Sequence, residues 1–244
     1  MPFWRQWKNS ATIGEKPMDI KQKESYFVAA LEGDVLTEKD RKDLLKLTNE
    51  DWEDELAELM DEADRIARPA ALFAVCGVDE NSAVNGITIP SDLVVEKLRD
   101  KNRCFPYIAT CGPELEAWSK KYEDDILAGF WADEIKKKFL FHVTQSTLRH
   151  IKEHYRTAGH LAAVNPGSLK EWPVSGQKEL FETLGGRRFV EETIGVIYTD
   201  SFLMLPSKTV SGIAFESEVF YENCQHCPLT RCPNRRAKQI SPNT

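Results

Sequence analysis

From about Lys21 to Arg68 the apolar and polar positions follow a helical period. Tyr26, Phe27, Ala30 and Leu31 form one apolar patch, and Thr37 stands as an N-cap before Glu38-Lys39-Asp40. Between Trp52 and Ile66, the residues Leu56, Leu59, Ala63 and Ile66 recur at helical spacing beneath an acidic outer face. That face includes Glu50, Asp51, Glu55, Glu58, Asp61 and Glu62. It reads first as solvated surface and second as a docking surface. Ala70 to Val78 and Cys104 to Thr110 are apolar runs of strand length. A helix near Leu93 to Leu98 lies between them, capped by Ser91 or Asp92, and another follows Gly112-Pro113 with Leu115 and Trp118 on one face.

A long helix is predicted from about Ile126 to Tyr155, with Phe130, Ile135, Phe139, Val143, Leu148 and Ile151 as its core-facing stripe. After the loop Asn165-Pro166-Gly167-Ser168, Ser175 caps a short helix through Leu184, which Gly185-Gly186 ends. Gly195 to Thr199, Met204 to Pro206 and Gly212 to Glu216 read as strands, while residues 1–20 read as a loose polar arm. Strands separated by helices predict a mixed α/β domain.

The 244 residues, 41% hydrophobic, are ample for one sizeable core. The net charge of -7 and the absence of a basic face argue against a nucleic-acid partner. No apolar run approaches the roughly 20 residues that span a bilayer. The amino terminus, Met-Pro-Phe-Trp-Arg-Gln-Trp-Lys, lacks an apolar signal core, so the chain is read as cytoplasmic and without a membrane partner.

The chemistry-bearing signal lies near the carboxyl end. Cys224-Gln-His-Cys227-Pro-Leu-Thr-Arg-Cys232 places three thiols within nine residues at C-x2-C-x4-C spacing, with arginines close by. A two-residue gap lets both sulfurs of a pair face one ion or one cluster corner. Nearby arginines favour the thiolate, the form that ligates. An iron–sulfur cluster is the first reading, zinc the second and an unligated reduced tail the third. The missing fourth ligand is assigned to Cys111, beside Gly112-Pro113, with Cys76 in reserve; His226 could serve zinc.

Other motifs carry less. His150-Ile-Lys-Glu153-His154 spells the inverted zinc-peptidase signature, but no downstream acidic ligand is evident, and a charged helix face explains it. The chain has no G-x-x-x-x-G-K-[ST] loop and no G-x-S-x-G elbow.

Three segments then stand in a specific order. They are Tyr107-Ile-Ala-Thr-Cys-Gly-Pro-Glu-Leu-Glu116; Asn165-Pro-Gly-Ser-Leu-Lys-Glu-Trp-Pro173; and Ile194-Gly-Val-Ile-Tyr-Thr-Asp-Ser201 with Met204-Leu-Pro-Ser-Lys-Thr-Val-Ser-Gly-Ile213. Together, over roughly residues 70 to 216, they resemble the activation region of cobalamin-dependent methionine synthase and its stand-alone relatives. The cysteine tail lies outside that pattern and is similar to elaborations in corrinoid-handling proteins of anaerobes.

The resemblance implies an α/β (α+β) fold, helmet-like, with a curved, mainly antiparallel sheet and long helices. It divides the chain into an N-terminal arm and helical segment (1–68), the activation-like domain (69–216) and a cysteine-rich metal-binding tail (217–244). It implies an accessory role in corrinoid-dependent methyl transfer: docking on a corrinoid protein, with its methyltransferase as a second partner, to support reductive activation. The alternatives are a non-catalytic module with structural zinc and an S-adenosylmethionine-binding reactivation protein. Pro166, Gly167, Asp200, Ser201 and Lys208 are the implied contact residues. The family's binding loop carries an arginine and a tyrosine where this chain has Ala163 and Ser168, which weakens the expectation of S-adenosylmethionine binding.

Overall fold

The computed structural model describes residues 5–7, 18–23, 25–31, 33–155, 157, 159–229, 231–232 and 235–240. Most of the arm assigned to residues 1–20 lies outside these, but two of its stretches are strands. They are β1 (Arg5–Trp7) and the start of β2 (Met18–Lys23), which pairs in turn with β3 (Tyr26–Leu31).

This corrects the helical reading of residues 21–31. A short apolar run has no period that separates strand from helix. What decides it is a partner: β3 lies antiparallel to β4 (Ala70–Ala74), Tyr26 opposite Ala74 and Ala30 opposite Ala70. One sheet therefore crosses the expected boundary at residue 68. The helical part of the segment is α1 (Glu38–Leu45) and α2 (Glu53–Ile66). Thr37 caps α1 as expected, in a reciprocal capping box with Asp40.

The chain continues through β5 (Cys76–Gly77), α3 (Asp92–Leu98), β6 (Arg103–Thr110), α4 (Pro113–Ser119), α5 (Ile126–His154) and β7 (His160–Val164). Then come α6 (Gln177–Thr183), α7 (Arg187–Ile194), β8 (Ile197–Tyr198), β9 (Met204–Leu205) and β10 (Thr209–Ser217). The main sheet runs β1-β2-β3-β4-β6-β10-β7, wholly antiparallel, with β5 pairing β6; β8 and β9 form a separate hairpin.

Both faces of the sheet are covered. Leu72, Ile108 and Ile213 pack with α3, α6 and α7 on one side. Ala71, Ala109, Phe73 and Tyr107 face the other side, where α1, α2, α4 and α5 lie. Alternation along each strand makes this division, and double coverage is why β4 and β6 read as continuous apolar runs. In α5 the stripe holds at Ile135, Phe139, Val143 and Ile151, but Phe130 is 46% exposed.

Sequence reasoning missed β7 and α7. β7 is the alanine-rich edge strand His-Leu-Ala-Ala-Val, with little intrinsic strand preference. α7 restarts directly after Gly185-Gly186, both at positive φ, so the glycines turn the chain rather than only ending a helix. Ser175 does not cap α6; it sits inside a short 3-10 turn, Val174–Gly176, without a side-chain capping bond. Among the described residues, no helix is long and apolar enough to cross a membrane.

Candidate functional site

β6 and β7 exit, and β10 enters, at one end of the sheet, as their antiparallel registers require. The loop that leaves β7 is organised by Asn165. Its Nδ2 donates to Tyr107 Oη (3.1 Å) and to the Ser211 carbonyl (2.6 Å). Its Oδ1 accepts from Asn223 Nδ2 at 2.8 Å, which ties the carboxyl-terminal tail to the loop.

Gly212 makes room for this amide. A Cβ there would meet Asn165 Nδ2 at 2.5 Å and the Val164 carbonyl at 2.6 Å. Gly167 turns the loop at φ +79°, and its N–H donates to the Trp172 carbonyl. Pro166 is half-buried and Gly167 exposed. Burial pushes the Tyr107 hydroxyl above its ordinary pKa, against the opposing Asn165 hydrogen bond.

The 206–208 loop is held from the other side of the sheet. Lys136 of α5 is buried and donates to Glu116 Oε2 (3.1 Å), Ser119 Oγ (2.8 Å) and Ser207 Oγ (3.3 Å). The same Glu116 oxygen accepts from Ser207 N at 3.1 Å and Ser207 Oγ at 2.8 Å. Burial alone would raise the Glu116 pKa, but the Ser207 and Lys136 bonds outweigh it and hold the carboxyl below its usual value. Lys208 makes an ion pair with Asp133 at 2.6 Å. It is thereby part of the anchorage of its own loop. Sequence reasoning missed Lys136, which stands in the ordinary-looking run Lys136-Lys137-Lys138.

Asp200 and Ser201 occupy the exposed tip of the β8–β9 hairpin, where the Thr199 and Ser201 hydroxyls lie 2.9 Å apart. The hairpin packs through Tyr198 on Phe181, ring centroids 4.9 Å apart, with the Arg187 guanidinium over the Tyr198 face. The described contacts bring the Asn165 loop and the tail together, but give no link from Asp200 to either.

The tail begins at Tyr221, whose ring stacks on His226 and lies under Lys97 Nζ. Arg235 then gathers the cysteine loop. Its guanidinium donates to the carbonyls of Cys224, Cys227 (3.1 Å), Leu229 (2.6 Å) and Ala237 (3.2 Å). Arg236 pairs with Glu222 at 2.9 Å. Cys224, Cys227 and Cys232 are all partly exposed free thiols. Arg235 and Asn223 have no motif signal; only the folded tail gives them partners.

Cys111 is not brought to these thiols. It is fully buried in the cluster with Ala109, Leu115 and Trp131, whereas Cys227 packs against the cluster on the opposite face of the sheet. Burial pushes the Cys111 thiol up to about 12, so it resists becoming a thiolate ligand. Cys76 is also fully buried, and pushed up to about 11 by the same cause. Among the described residues, no group of three His, Cys, Asp or Glu side chains is placed to hold a metal ion. This covers His150, Glu153 and His154 as well: the two imidazoles stack 5.1 Å apart on α5.

No family model matches the chain, and neither does any curated protein. Solved structures do match. One is the crystal structure of the MetH reactivation domain bound to AdoHcy, with a TM-score of 0.58 and 14% sequence identity over 80% of this chain and 81% of that one. At that identity the similarity is one of fold: a mixed α/β architecture with an open antiparallel sheet, as the sequence resemblance implied.

Proposed function

We propose that this protein docks on a corrinoid protein and supports its reductive activation. The observation that carries the reading is the backbone similarity to a reactivation domain across four-fifths of both chains. The Pro166-Gly167 loop, the Asp200-Ser201 tip and the Ser207-Lys208 loop would supply the contact surface. Asn165 and the Glu116–Lys136 network hold the first and last of these in place.

On this reading Cys224, Cys227 and Cys232, which the folded tail does not bring together as a ligand set, would have to close around an iron–sulfur cluster, with zinc as the alternative. Soft thiolate donors suit either, and partial exposure leaves the sulfurs available. A cluster would supply low-potential electrons to the corrinoid cobalt. Cys111 is not among the ligands, because reaching the tail would pull it from the core. Arg235 shapes the loop through its carbonyls and leaves the thiols unengaged by that clasp.

An S-adenosyl ligand fits the loop poorly. Asn165 commits its amide to Tyr107, Ser211 and Asn223, and Ala163 packs against core residues, so neither offers a cation to a ligand carboxylate.

Two measurements test the reading separately. Titration against a purified cobalamin-loaded corrinoid protein should show saturable binding that Asp200→Arg/Ser201→Arg weakens; no binding rejects the docking role. Anaerobically prepared protein should carry iron with dithionite-bleached visible absorption, lost in Cys227→Ser while the fold survives. Stoichiometric zinc in a colourless sample favours the structural alternative. A metal-free sample whose three tail thiols alkylate freely removes the metal role altogether.

A further inference from the structure

We propose that Cys224 and Cys227 form a dithiol–disulfide couple that closes by exchange with a low-molecular-weight disulfide and leaves Cys232 outside it. Neither the corrinoid reading nor a metal is required for it.

Spacing alone would allow any pairing of the three tail thiols, but the backbone selects one. Asn223–Gln225 is a 3-10 turn, and His226 follows at φ -107°, ψ -7°. Gln225 and His226 thus stand as the two central residues of a type I-like turn, with Cys224 and Cys227 at its ends. The ends of such a turn lie less than about 7 Å apart, Cα to Cα, and a disulfide needs roughly 4.4–6.8 Å. Closing the bond therefore takes side-chain rotation rather than refolding of the loop. Cys232 does not converge on the pair: among the described residues, no three His, Cys, Asp or Glu side chains are placed to hold a metal ion. Two neighbouring thiols are enough for a disulfide, whereas a metal needs further ligands.

Arg235 fixes the same two residues. Its terminal nitrogens donate to the Cys224 carbonyl and, at 3.1 Å, to the Cys227 carbonyl. One planar fork holds both cysteine backbones in register. The Cys232 carbonyl is bonded instead by the Arg235 backbone N–H, at 3.2 Å. The turn is also pinned to the domain, through the Asn223 side chain on Asn165.

All three tail thiols are partly exposed, but Cys227 packs against the apolar cluster that Tyr221 also joins. Cys224 is therefore the thiol that meets a reagent first. Its thiolate attacks one sulfur of the small disulfide RSSR, breaks that S–S bond and releases one RS⁻, leaving a mixed disulfide. The Cys227 thiolate then attacks the Cys224 sulfur and releases the second RS⁻. The tail loses two electrons and two protons, and RSSR gains both and leaves as two RSH. Cys76, Cys104 and Cys111 are fully buried and take no part.

The test equilibrates the full chain, held in a chelator, with mixtures of reduced and oxidised glutathione, then acid-quenches, alkylates and maps it by mass spectrometry without reduction. One internal bond, Cys224–Cys227, is expected, reversed by excess reduced glutathione, with Cys232 alkylated throughout. Cys227→Ser should stop at a mixed disulfide on Cys224. Arg235→Ala loosens the turn and should lower the equilibrium constant for closure about threefold, whereas Arg188→Ala, the same charge lost elsewhere, should leave it unchanged. Predominant bonds to Cys232, wild-type mixed disulfides that never close, or equal closure constants for wild type and Arg235→Ala would overturn the proposal. Iron and zinc content, read before chelation, decides the metal reading separately.

Discussion

Replacing Lys136 with Met removes the buried cation at the centre of the 206–208 anchorage. The wild-type ammonium lies on a side chain 6% exposed, 3.1 Å from a Glu116 carboxylate on a side chain 21% exposed. Breaking a fully buried pair costs about 3–5 kcal/mol, chiefly from the charge left behind. Glu116 keeps its Ser207 donors and some water, so the figure here is about 2–3 kcal/mol. In a domain of this size that corresponds to a fall in Tm of roughly 5–10 °C.

The pH dependence separates charge from packing. The Glu116 pKa is held down in the folded state by Ser207 and Lys136 against the effect of burial. Its stabilisation is therefore present above the unfolded carboxyl pKa and is lost as pH falls through the lower folded value. Without Lys136 the part of that advantage it supplies is lost while the Ser207 part remains, so the deficit should be largest near neutral pH. It should shrink as the pH drops below that of an ordinary glutamate.

Thermal unfolding across this range, with Lys136→Met/Glu116→Gln to complete a double-mutant cycle, provides the measurement. Hydrogen exchange should also speed up at the Ser207 amide, which donates to Glu116. A Tm loss that is equal at acid and neutral pH, and not relieved by the second substitution, would refute the electrostatic account and leave only a packing defect.

Gly212→Ala should either cost about 3 kcal/mol or expel the Asn165 amide, since the new Cβ would meet the Val164 carbonyl at 2.6 Å. Expulsion would release Asn223 and speed limited proteolysis of the tail relative to wild type; unchanged Tm and proteolysis would refute the steric reasoning. His150 should titrate near 4 by NMR, because burial, then the nearby His154, lowers its pKa. Its depressed folded pKa costs no stability above the ordinary histidine value, and stability falls as pH drops from about 6.5 toward 4. After allowance for partial exposure, the loss is about 2 kcal/mol. His150→Phe should flatten that limb of the pH–stability curve, and an unchanged slope would reject the assignment.

The legible parts of the fold were those whose signal is local. The Thr37 and Ser91 caps act on amides a few residues away. Pro113 at a helix start and the buried stripe of α5 also follow from nearest-neighbour geometry. The ordered loop segments at Asn165 and Ser207 were visible as motifs, although the interactions that hold them were not. Asn165 bonds Ser211, 46 positions away, and Ser207 bonds Glu116, 91 positions away.

By itself the sequence determined the α/β class, most helix boundaries and the close spacing of the three tail thiols. Tertiary structure decided that Met18–Lys23 and Tyr26–Leu31 are strands, because β3 acquires its hydrogen-bonding partner from β4. It also decided that Cys111 belongs to the core, since this residue, directly after β6, packs in the cluster under the helices on the far side of the sheet from Cys227. Local preference sets what a segment can become. Long-range pairing and burial set which of those possibilities has the lowest free energy.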